Sequence, residues 1–395
     1  MSIRSAQIEE TIISAPICAP TGIYVHVPWC VRKCPYCDFN SHVAPAEAPF
    51  TDYLTALLRD LDFELEERPL DAAPVTLFFG GGTPSLLPAT VLSELIEGIR
   101  LRTGQGAEAE ITLEANPGTV ERGRFAEYAA AGINRISLGA QSFDDALLRR
   151  IGRIHSAAET GQAIDELAAA GIGNFNLDVM YGLPGQTAVS ALDDLEQAIA
   201  HKPAHVSWYE LTLEPGTAFY RRPPRLPPEE DMLKMEAAGR ELLAVAGFER
   251  YEISAYARDG MRCRHNENYW GYGDYLGVGP GAHGKRSHGG RIWRSERILS
   301  PARWLRQAGT AEAVTLSEVA CRERPFEYVL NALRCIHGFD WPAFEERTGL
   351  PREAITGLVT MAVADGLLET LGDRVWPSAR GLRYLNDLQT RFLPD

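Results

Sequence analysis

The sequence has few cysteines and no long apolar run. Its 395 residues contain seven cysteines, too few for a disulfide scaffold of this length. No segment approaches the ~20 consecutive apolar residues of a membrane-spanning helix, and residues 1–20 lack the apolar core of a signal peptide. These absences predict a soluble, cytoplasmic protein that keeps its thiols reduced and has no integral membrane segment.

Basic residues are also in deficit. Lys and Arg number 39 against 53 Asp and Glu, which gives a formal net charge of −14. Such a balance opposes broad binding to nucleic-acid phosphates and docking on an anionic membrane, so we expect no nucleic-acid partner. The hydrophobic share of 45% is typical of a folded globular protein, and the length predicts two or more domains.

Short β-branched and aromatic runs recur through the first half of the chain, with helix-period stretches between them. This alternation is typical of strand–helix–strand crossovers, which require parallel pairing. We therefore predict an α/β fold with six βα units, arranged as a parallel barrel or an open doubly wound sheet. The six predicted strands are 23–27, 75–79, 110–114, 135–138, 174–180 and 205–211.

The composition changes in the second half. Four prolines within 221–228 end the repeat, and 251–290 is rich in Gly and aromatic residues, which favours tight turns and short strands over helix. The last segment has a winged-helix-like order of three helices and a hairpin, but its third helix has Arg352 as its only basic residue, which argues against reading DNA. We predict an N-terminal tail (1–20), a partial barrel (21–220), a linker and Gly/aromatic-rich α+β region (221–315) and a winged-helix-like helical domain (316–395).

Three cysteines lie close together after the first predicted strand. Cys30, Cys34 and Cys37 form a C-x3-C-x2-C pattern. Thiolates suit iron–sulfur clusters, and three of them leave one corner of a [4Fe–4S] cube open for a ligand. Structural zinc is the alternative, but its fourth ligand would have to be His26 or His42 at a spacing that matches no common zinc site. The pattern favours a cluster over zinc or inert thiols.

Polar or glycine residues follow the ends of the other predicted strands. Gly80 to Ser85 reads Gly-Gly-Gly-Thr-Pro-Ser, where missing side chains let backbone approach a ligand. Glu114 and Asp178 can accept hydrogen bonds from ribose hydroxyls, and Arg153 can pair with a carboxylate. Singly, each of these residues is typical of a cap or an ion pair. Together, at the rim where barrel enzymes bind their ligands, they predict one site.

These motifs resemble the radical S-adenosylmethionine (SAM) superfamily. Within it, the cysteine region is similar to the coproporphyrinogen-oxidase-like group, and to its HemW branch of bacterial heme chaperones. The resemblance runs from Tyr24 to the C-terminal helices and implies a partial (β/α)6 radical SAM barrel, a [4Fe–4S] cluster on the three cysteines, SAM at the open iron and an electron donor as partner. By resemblance, the SAM contacts are Tyr24, Tyr36, Gly81, Gly82, Thr83, Glu114, Gln141, Arg153 and Asp178.

Two departures separate the chain from the oxidases of this group. The oxidases carry a fourth cysteine two positions after the third, where this chain has Phe39, and they have a longer segment than the 23 residues before Tyr24. Both departures favour the heme-chaperone branch, in which oxidase activity is not expected. The alternative is an oxygen-independent coproporphyrinogen III oxidase, which would use the same SAM residues.

A candidate heme site lies in the second half. Residues 265–270 read H-N-x-x-Y-W, the pattern that the resemblance links to heme, with His265 as the axial ligand. On chemistry alone, a histidine among aromatic residues is more typical of a capped turn or a core. Cys263 and His283 are nearby alternative ligands. The resemblance implies heme as a third bound group and heme-accepting proteins as partners.

Overall fold

The computed structural model describes residues 17, 19–118 and 123–394. Its strands are β1 (Thr21–Val27), β2 (Trp29–Cys30), β3 (His42–Val43), β4 (Thr76–Gly81), β5 (Glu110–Ala115), β6 (Arg135–Gln141), β7 (Phe175–Tyr181), β8 (His205–Glu210), β9 (Glu249–Arg250), β10 (Ala255–Ala257), β11 (Asp274–Val278), β12 (His283–His288), β13 (Arg291–Arg297), β14 (Val314–Glu318), β15 (Phe339–Asp340), β16 (Leu368–Leu371) and β17 (Arg374–Pro377).

Helices alternate with these strands in the first half and dominate the last segment. They are α1 (Phe50–Glu67), α2 (Ala89–Thr103), α3 (Phe125–Ala130), α4 (Asp145–Arg150), α5 (Ala157–Ala169), α6 (Ala188–Ala200), α7 (Ala218–Arg221), α8 (Glu229–Val245), α9 (Arg264–Trp270), α10 (Pro301–Gln307), α11 (Arg324–Ala332), α12 (Trp341–Thr348), α13 (Glu353–Ala364), α14 (Ala379–Arg383) and α15 (Leu385–Thr390).

The predicted partial barrel is confirmed. Strands β1, β4, β5, β6, β7 and β8 pair in that order, each parallel to the next. Outward-facing residues such as Ile23, Val25 and Leu77 are fully buried beneath the helices and form the main hydrophobic core. The alternate residues point inward. Many of these are polar, so the barrel interior is suited to binding and is not a purely apolar core.

Local sequence signals place the helices that follow the strands. Ser156 and Thr187 each form a capping box at the start of α5 and α6, in which the side chain at the third helical position bonds back to the cap. Helix α1 buries Tyr53, Leu57 and Leu61 at helical spacing against the sheet. These short-range patterns explain why the order of strands and helices was predictable.

The second half extends the same sheet. Strand β11 pairs parallel with the outer edge of β1, and β12 to β14 continue from it in antiparallel order. Arg297 of β13 is tied to helix α1, with its Nε 3.1 Å from an Asp60 carboxylate oxygen and its Nη2 2.9 Å from Glu64 Oε2. All three side chains are at most 1% exposed. Strand β13 is therefore locked to the first barrel helix.

One expectation for the Gly/aromatic-rich region was wrong. Turns and short strands were predicted over 251–290, but residues 264–270 form helix α9. The backbone N–H groups of Arg264 and His265 donate to the Glu110 carboxylate at 3.2 and 3.1 Å. A distant carboxylate on β5 therefore satisfies the free donors at the start of this helix. Local sequence cannot reveal such a partner.

The C-terminal segment has the predicted helical order. Helices α11, α12 and α13 are followed by the β16–β17 hairpin, to which β15 adds a third strand. Its core contains Tyr328, Phe344 and Leu388 and also takes in Tyr272 from just after α9. The segment therefore packs directly on α9. Within the described residues, no helix has the length and apolar character needed to cross a bilayer.

Candidate functional site

The three cysteines lie in a loop that two short strands hold in place. Cys30 ends β2, which pairs with β3, and the Cys37 N–H donates to the Cys34 carbonyl at 3.2 Å. Asn40 fixes the far side of the loop by donating to the carbonyls of Pro280 and Leu299, both at 2.9 Å. The second half of the chain therefore helps to shape the cysteine loop.

A cavity of about 760 Å³ opens beside this loop at the C-terminal ends of the barrel strands. All three cysteines line it, and so does Phe39, whose side chain is 56% exposed. The predicted SAM residues that line it are Tyr36, Gly81, Gly82, Thr83, Glu114, Gln141, Arg153 and Asp178. The structure thus brings together eight of the nine residues predicted for SAM.

Tyr24 is the exception among these residues. It lines a second cavity of about 320 Å³ inside the barrel, and its hydroxyl lies 3.0 Å from His26 Nδ1. Glu114 and Asp178 line both cavities. Tyr24 therefore lies below the wall of the larger cavity, not on its surface.

The glycine turn after β4 packs closely against the cysteine loop. The Gly82 N–H donates to the Val27 carbonyl at 2.7 Å, and the Thr83 N–H donates to the Trp29 carbonyl at 2.7 Å. A Cβ on Gly82 would lie 2.6 Å from the Trp29 carbonyl oxygen, and Gly81 has a φ of 110°. Glycine is required at both positions for the turn to reach the loop.

Two carboxyl groups are buried in the wall shared by the cavities. Burial raises the pKa of Glu114 to about 8, and nearby Asp178 adds to the rise. Burial also raises the pKa of Asp178, although hydrogen bonds from Asn176 and Ser137 favour its charged form. A pKa of about 8 leaves Glu114 mostly protonated at neutral pH, and a nearby cation or hydrogen-bond donor favours its ionised form.

Arg153 supplies a positive charge beside the cysteines. Its Nη1 donates to Cys34 Sγ at 3.8 Å and its Nη2 donates to the Gly139 carbonyl at 2.7 Å and to Asn116. Its Nε is buried and has no hydrogen-bond partner in the structure. A buried donor without a partner is costly, so this atom fits the carboxylate of a bound amino acid.

Gln141 is turned into the cavity by an irregular strand end. The pairing of β6 with β7 shifts register between Leu138 and Gln141, and Gln141 has a φ of 69°. Its Oε1 accepts a hydrogen bond from the Tyr209 hydroxyl at 2.7 Å. Backbone distortions of this kind often mark ligand sites.

The donor set fits an iron–sulfur cube better than a single metal ion. Among the residues the structure describes, no group of three or more His, Cys, Asp or Glu side chains could hold one metal ion. In a cube, each cysteine binds a different iron, so the thiolates need not converge on one point. All three cysteines line the same cavity, and burial raises the pKa of Cys30, with a contribution from nearby Cys37 and Cys34.

Comparison with known proteins agrees with this geometry. A family model for the radical SAM superfamily matches residues 24–198, and one for the HemN C-terminal domain matches residues 320–384. The chain is 44% identical to the heme chaperone HemW of Escherichia coli, covering 95% of this chain and 99% of the relative. It is 42% identical to the heme chaperone HemW of Haemophilus influenzae, and this match covers 96% of this chain and 100% of the relative. The chain belongs to the HemW family.

A solved structure extends the comparison to the fold. Coproporphyrinogen III oxidase (HemN) from Escherichia coli aligns with a TM-score of 0.79 over 98% of this chain and 93% of its own, at 22% identity. At this identity the match shows that the HemW-family chain shares the fold of that radical SAM enzyme. The predicted fold class is thereby confirmed.

The H-N-x-x-Y-W motif of this HemW-family chain lies at the other end of the barrel from the cysteines. His265 Nδ1 is 2.8 Å from the hydroxyl of Thr76, the first residue of β4, and its ring stacks on Phe78 with centres 4.9 Å apart. The side chain is only 2% exposed, and its Nε2 has no hydrogen-bond partner. His265 lines the 320 Å³ inner cavity, and its ring is almost wholly covered by neighbouring residues.

The predicted alternatives to His265 occupy different places. Cys263 is fully buried next to Glu110, and burial raises the pKa of its thiol to about 12. His283 is exposed at the start of β12. Neither lines the inner cavity that His265 faces.

Several polar residues that line the large cavity were not predicted from the sequence. Asn116 donates to the Thr83 hydroxyl at 3.0 Å, and Ser207 and Tyr209 line the cavity from β8. The available signal was the alternation of polar residues along β7 and β8, at Asn176 and Asp178 and at His205, Ser207 and Tyr209. Such alternation marks one face of a strand.

Proposed function

We propose that this chain is a heme chaperone, which binds heme together with a [4Fe–4S] cluster and SAM and transfers heme to acceptor proteins. The observation that carries the proposal is the single cavity in which Cys30, Cys34 and Cys37 meet Arg153 and the glycine turn. The extent of the likeness to HemW relatives directs the proposal towards heme transfer.

Each site residue has a defined task in this proposal. Cys30, Cys34 and Cys37 hold the cluster, which when loaded with SAM supplies one-electron chemistry. Arg153 pairs with the SAM carboxylate, and the backbone of Gly81, Gly82 and Thr83 lies against the methionine end. Glu114 and Asp178 accept from the ribose hydroxyls, while Gln141 and Tyr36 form the remaining wall. Tyr24 does not contact SAM directly in this proposal. It supports the wall of the SAM cavity from the inner cavity, which it lines together with Glu114.

The environment and partners of the proposed chaperone follow from the accessible cysteine loop and from the free thiols. An electron donor must reach the cysteine loop, which is accessible because Val31 and Phe39 are 46% and 56% exposed. A reducing compartment is needed to keep six described cysteines free, so we propose the cytoplasm as the site of action.

An oxygen-independent coproporphyrinogen III oxidase is the second candidate. The observation in its favour is the size of the main cavity, about 760 Å³, which lies within the range of roughly 300–1,000 Å³ typical of small-molecule sites. Against it stands Phe39, which places an aromatic ring on the cavity wall where the oxidases carry a cysteine.

Two anaerobic measurements test the proposed function. The reconstituted protein should contain about four irons per chain, absorb near roughly 400 nm, and bind about one heme more tightly than a generic control protein. The same preparation, given SAM, a reductant and coproporphyrinogen III, should release no vinyl product. Heme uptake no better than the control would refute the chaperone, and steady vinyl formation would establish the oxidase.

A further inference from the structure

A small hollow lies between the cysteine loop and the segment that follows helix α4. It has a volume of about 130 Å³, and Cys34 lines both this hollow and the large cavity. Cys30 and Cys37 line the large cavity but not the hollow. A molecule at the hollow would therefore approach the proposed cluster through the sulfur of Cys34.

The hollow has an exposed apolar centre. Val31 of the cysteine loop and Ile154 of the segment after α4 both line it, and they are 46% and 58% exposed. Large apolar side chains that share one exposed surface and are bordered by polar residues are typical of protein–protein contact sites. The two residues come from different segments, so the fold creates this centre.

Basic side chains border the apolar centre. Arg32 lines the hollow itself, and Arg149 and Arg150 end helix α4, shortly before Ile154. All three arginines are exposed. Neither Arg32 nor Arg149 has an acidic partner among the residues that the structure describes. Glu159 is an acidic residue on the wall, but its carboxylate is engaged in the capping box at the start of α5.

A second basic segment is fixed against the same loop. The Phe219 N–H of α7 donates to the Pro35 carbonyl at 2.9 Å, and a Cβ on Gly152 would lie 2.6 Å from Pro35 Cδ. The cysteine loop, the turn after α4 and helix α7 therefore meet at Pro35. Arg221 and Arg222, at the end of α7, are exposed. Three segments thus bring positive charge to the surroundings of one loop.

This local charge is opposite to that of the whole chain, which has a formal net charge of −14. Most of the surface therefore repels an acidic protein, whereas the surroundings of the cysteine loop attract it. Electron-transfer partners meet through small, weak interfaces, in which complementary charges raise the association rate and select the partner. The residues that supply the charge, here called the basic rim, are Arg32, Arg149, Arg150, Arg221 and Arg222.

We propose that an acidic one-electron carrier protein, with its redox group at its own surface, docks on the hollow and the basic rim and reduces the cluster through Cys34. The inference rests on the proposed function, because it requires the cluster, and it identifies where and by what kind of protein the cluster is reduced. One electron leaves the carrier and one enters the cluster, and no bond forms or breaks. The basic rim steers the carrier, while Val31 and Ile154 provide the apolar contact.

The test uses the full-length, anaerobically reconstituted chain without SAM, and fully reduced flavodoxin, an acidic flavin protein, as the probe. Stopped-flow absorbance near roughly 400 nm and electron paramagnetic resonance follow the reduction of the cluster. Arg32→Glu combined with Arg221→Glu should slow this reduction at least about tenfold at low salt, within the range of electrostatic steering. The difference should shrink as added salt screens the charges. Arg322→Glu, at an exposed position of the C-terminal segment, is the matched control and should reduce at the parent rate.

Two further measurements separate docking from the state of the cluster. Ile154→Ser removes an apolar contact without changing the charge, so it should weaken the saturation by flavodoxin at low and at high salt alike. Reduced methyl viologen is a small cation that needs no docking surface, and it should reduce the double variant at least as fast as the parent. Equal slowing with both reductants would place the defect in the cluster and contradict the docking surface.

The outcomes also separate this inference from the proposed function. If flavodoxin reduces the parent, the double variant and the control at one rate, the docking surface is wrong, while heme uptake by the same preparation leaves the chaperone proposal intact. If charge reversal changes the oligomeric state in sedimentation but not the rate, the surface joins two copies of this chain and the inference is overturned. Equal iron content of all variants shows that a slower reduction is not a folding defect.

Discussion

The guanidinium carbon of Arg334 lies 4.3 Å from the centre of the Trp270 ring. Arg334 also lines the large cavity that contains the three cysteines, whereas Trp270 lines a cleft beside the C-terminal segment. A 3.4 Å ion pair with Glu252, which is 3% exposed, holds the guanidinium in place. One stacked pair thus joins the proposed SAM cavity to the last residue of the H-N-x-x-Y-W motif.

We expect SAM and heme to influence each other's binding through this pair. SAM should change the affinity for hemin, and hemin should change the affinity for SAM by the same factor, with a coupling free energy on the order of 1 kcal/mol. Arg334→Gln should remove most of this coupling, because it abolishes the stacked charge. Isothermal titration of each ligand with and without the other measures it. Arg380→Gln, on the exposed side of α14, is the control, and coupling that survives Arg334→Gln unchanged would contradict the prediction.

SAM binding should depend on pH through Glu114. Burial raises the pKa of Glu114 to about 8, so the group is mostly protonated at pH 7. The sulfonium and ammonium charges of SAM favour the ionised form, so binding releases a proton and affinity rises with pH until it levels off above about 8. Below that pKa the rise is at most about tenfold per pH unit for one proton.

Calorimetry in buffers of different ionisation enthalpy counts the released proton directly. SAM titrates in the same pH range, so the measurement is the difference between the parent and Glu114→Gln, which keeps the size of the side chain. A parent that releases no more protons than the Glu114→Gln chain would show that SAM binding does not ionise Glu114 and would contradict the prediction.

Replacing Arg153 by lysine should impair SAM binding more than folding. A lysine keeps the charge but loses the fork, in which Nη2 donates to Asn116 and the Gly139 carbonyl while Nη1 donates to Cys34 Sγ. It also has no donor at the position of the partner-free Nε. We expect the SAM dissociation constant to rise by at least about tenfold, since charge-assisted hydrogen bonds contribute about 1.5–3 kcal/mol. Arg149→Lys on the exposed face of α4 is the control, and equilibrium dialysis makes the comparison.

Gly82→Ala should reduce cluster occupancy. The added methyl group would lie 2.6 Å from the Trp29 carbonyl oxygen, so the cysteine loop and the glycine turn must move apart. Overpacking of this kind typically costs about 1–3 kcal/mol. Iron per chain after reconstitution measures the effect. Gly106→Ala is the control, because nothing lies within 4 Å of its added Cβ. Full iron content in the Gly82 variant would show that the contact is easily relieved.

Arg297→Met should lower the free energy of unfolding strongly. It leaves Asp60 and Glu64 buried without their common partner, and breaking a buried pair typically costs about 3–5 kcal/mol. Arg102→Met breaks the ion pair with Asp62, in which the Arg102 and Asp62 side chains are 30% and 45% exposed. For such a solvent-exposed pair we expect a loss of only about 0–1 kcal/mol in the free energy of unfolding. Denaturant titration compares the two variants, and equal losses would contradict the difference expected from burial.

The barrel was predictable because its signals are local. The cysteine spacing, the glycine turn at Gly80 to Ser85 and the capping residues Ser156 and Thr187 all lie within a few residues of what they specify. Strand ends that follow one another in a parallel barrel share a rim, so residues from different strands could be assigned to one cavity without coordinates. The domain boundaries remain a prediction.

The sequence alone could not predict contacts between residues that are far apart in the chain. The start of α9 depends on Glu110, which is 155 residues before His265. The burial of His265 against Thr76 depends on a separation of 189 residues. Likewise, the nearness of Arg347 and His337 to Trp270 arises only when the C-terminal segment packs on α9. No periodic pattern in the sequence encodes such long-range contacts.

The pairing of β1 with β11 bears on how the protein is made. On the ribosome, the first barrel strand has no neighbour on its outer edge until residues 274–278 emerge. The cysteine loop gains its Asn40 anchors only with residues 280 and 299, after about three quarters of the chain has been synthesised. An open parallel edge is slow to pair and prone to aggregate. The nascent chain therefore carries an unanchored cysteine loop and an unpaired strand edge through most of translation.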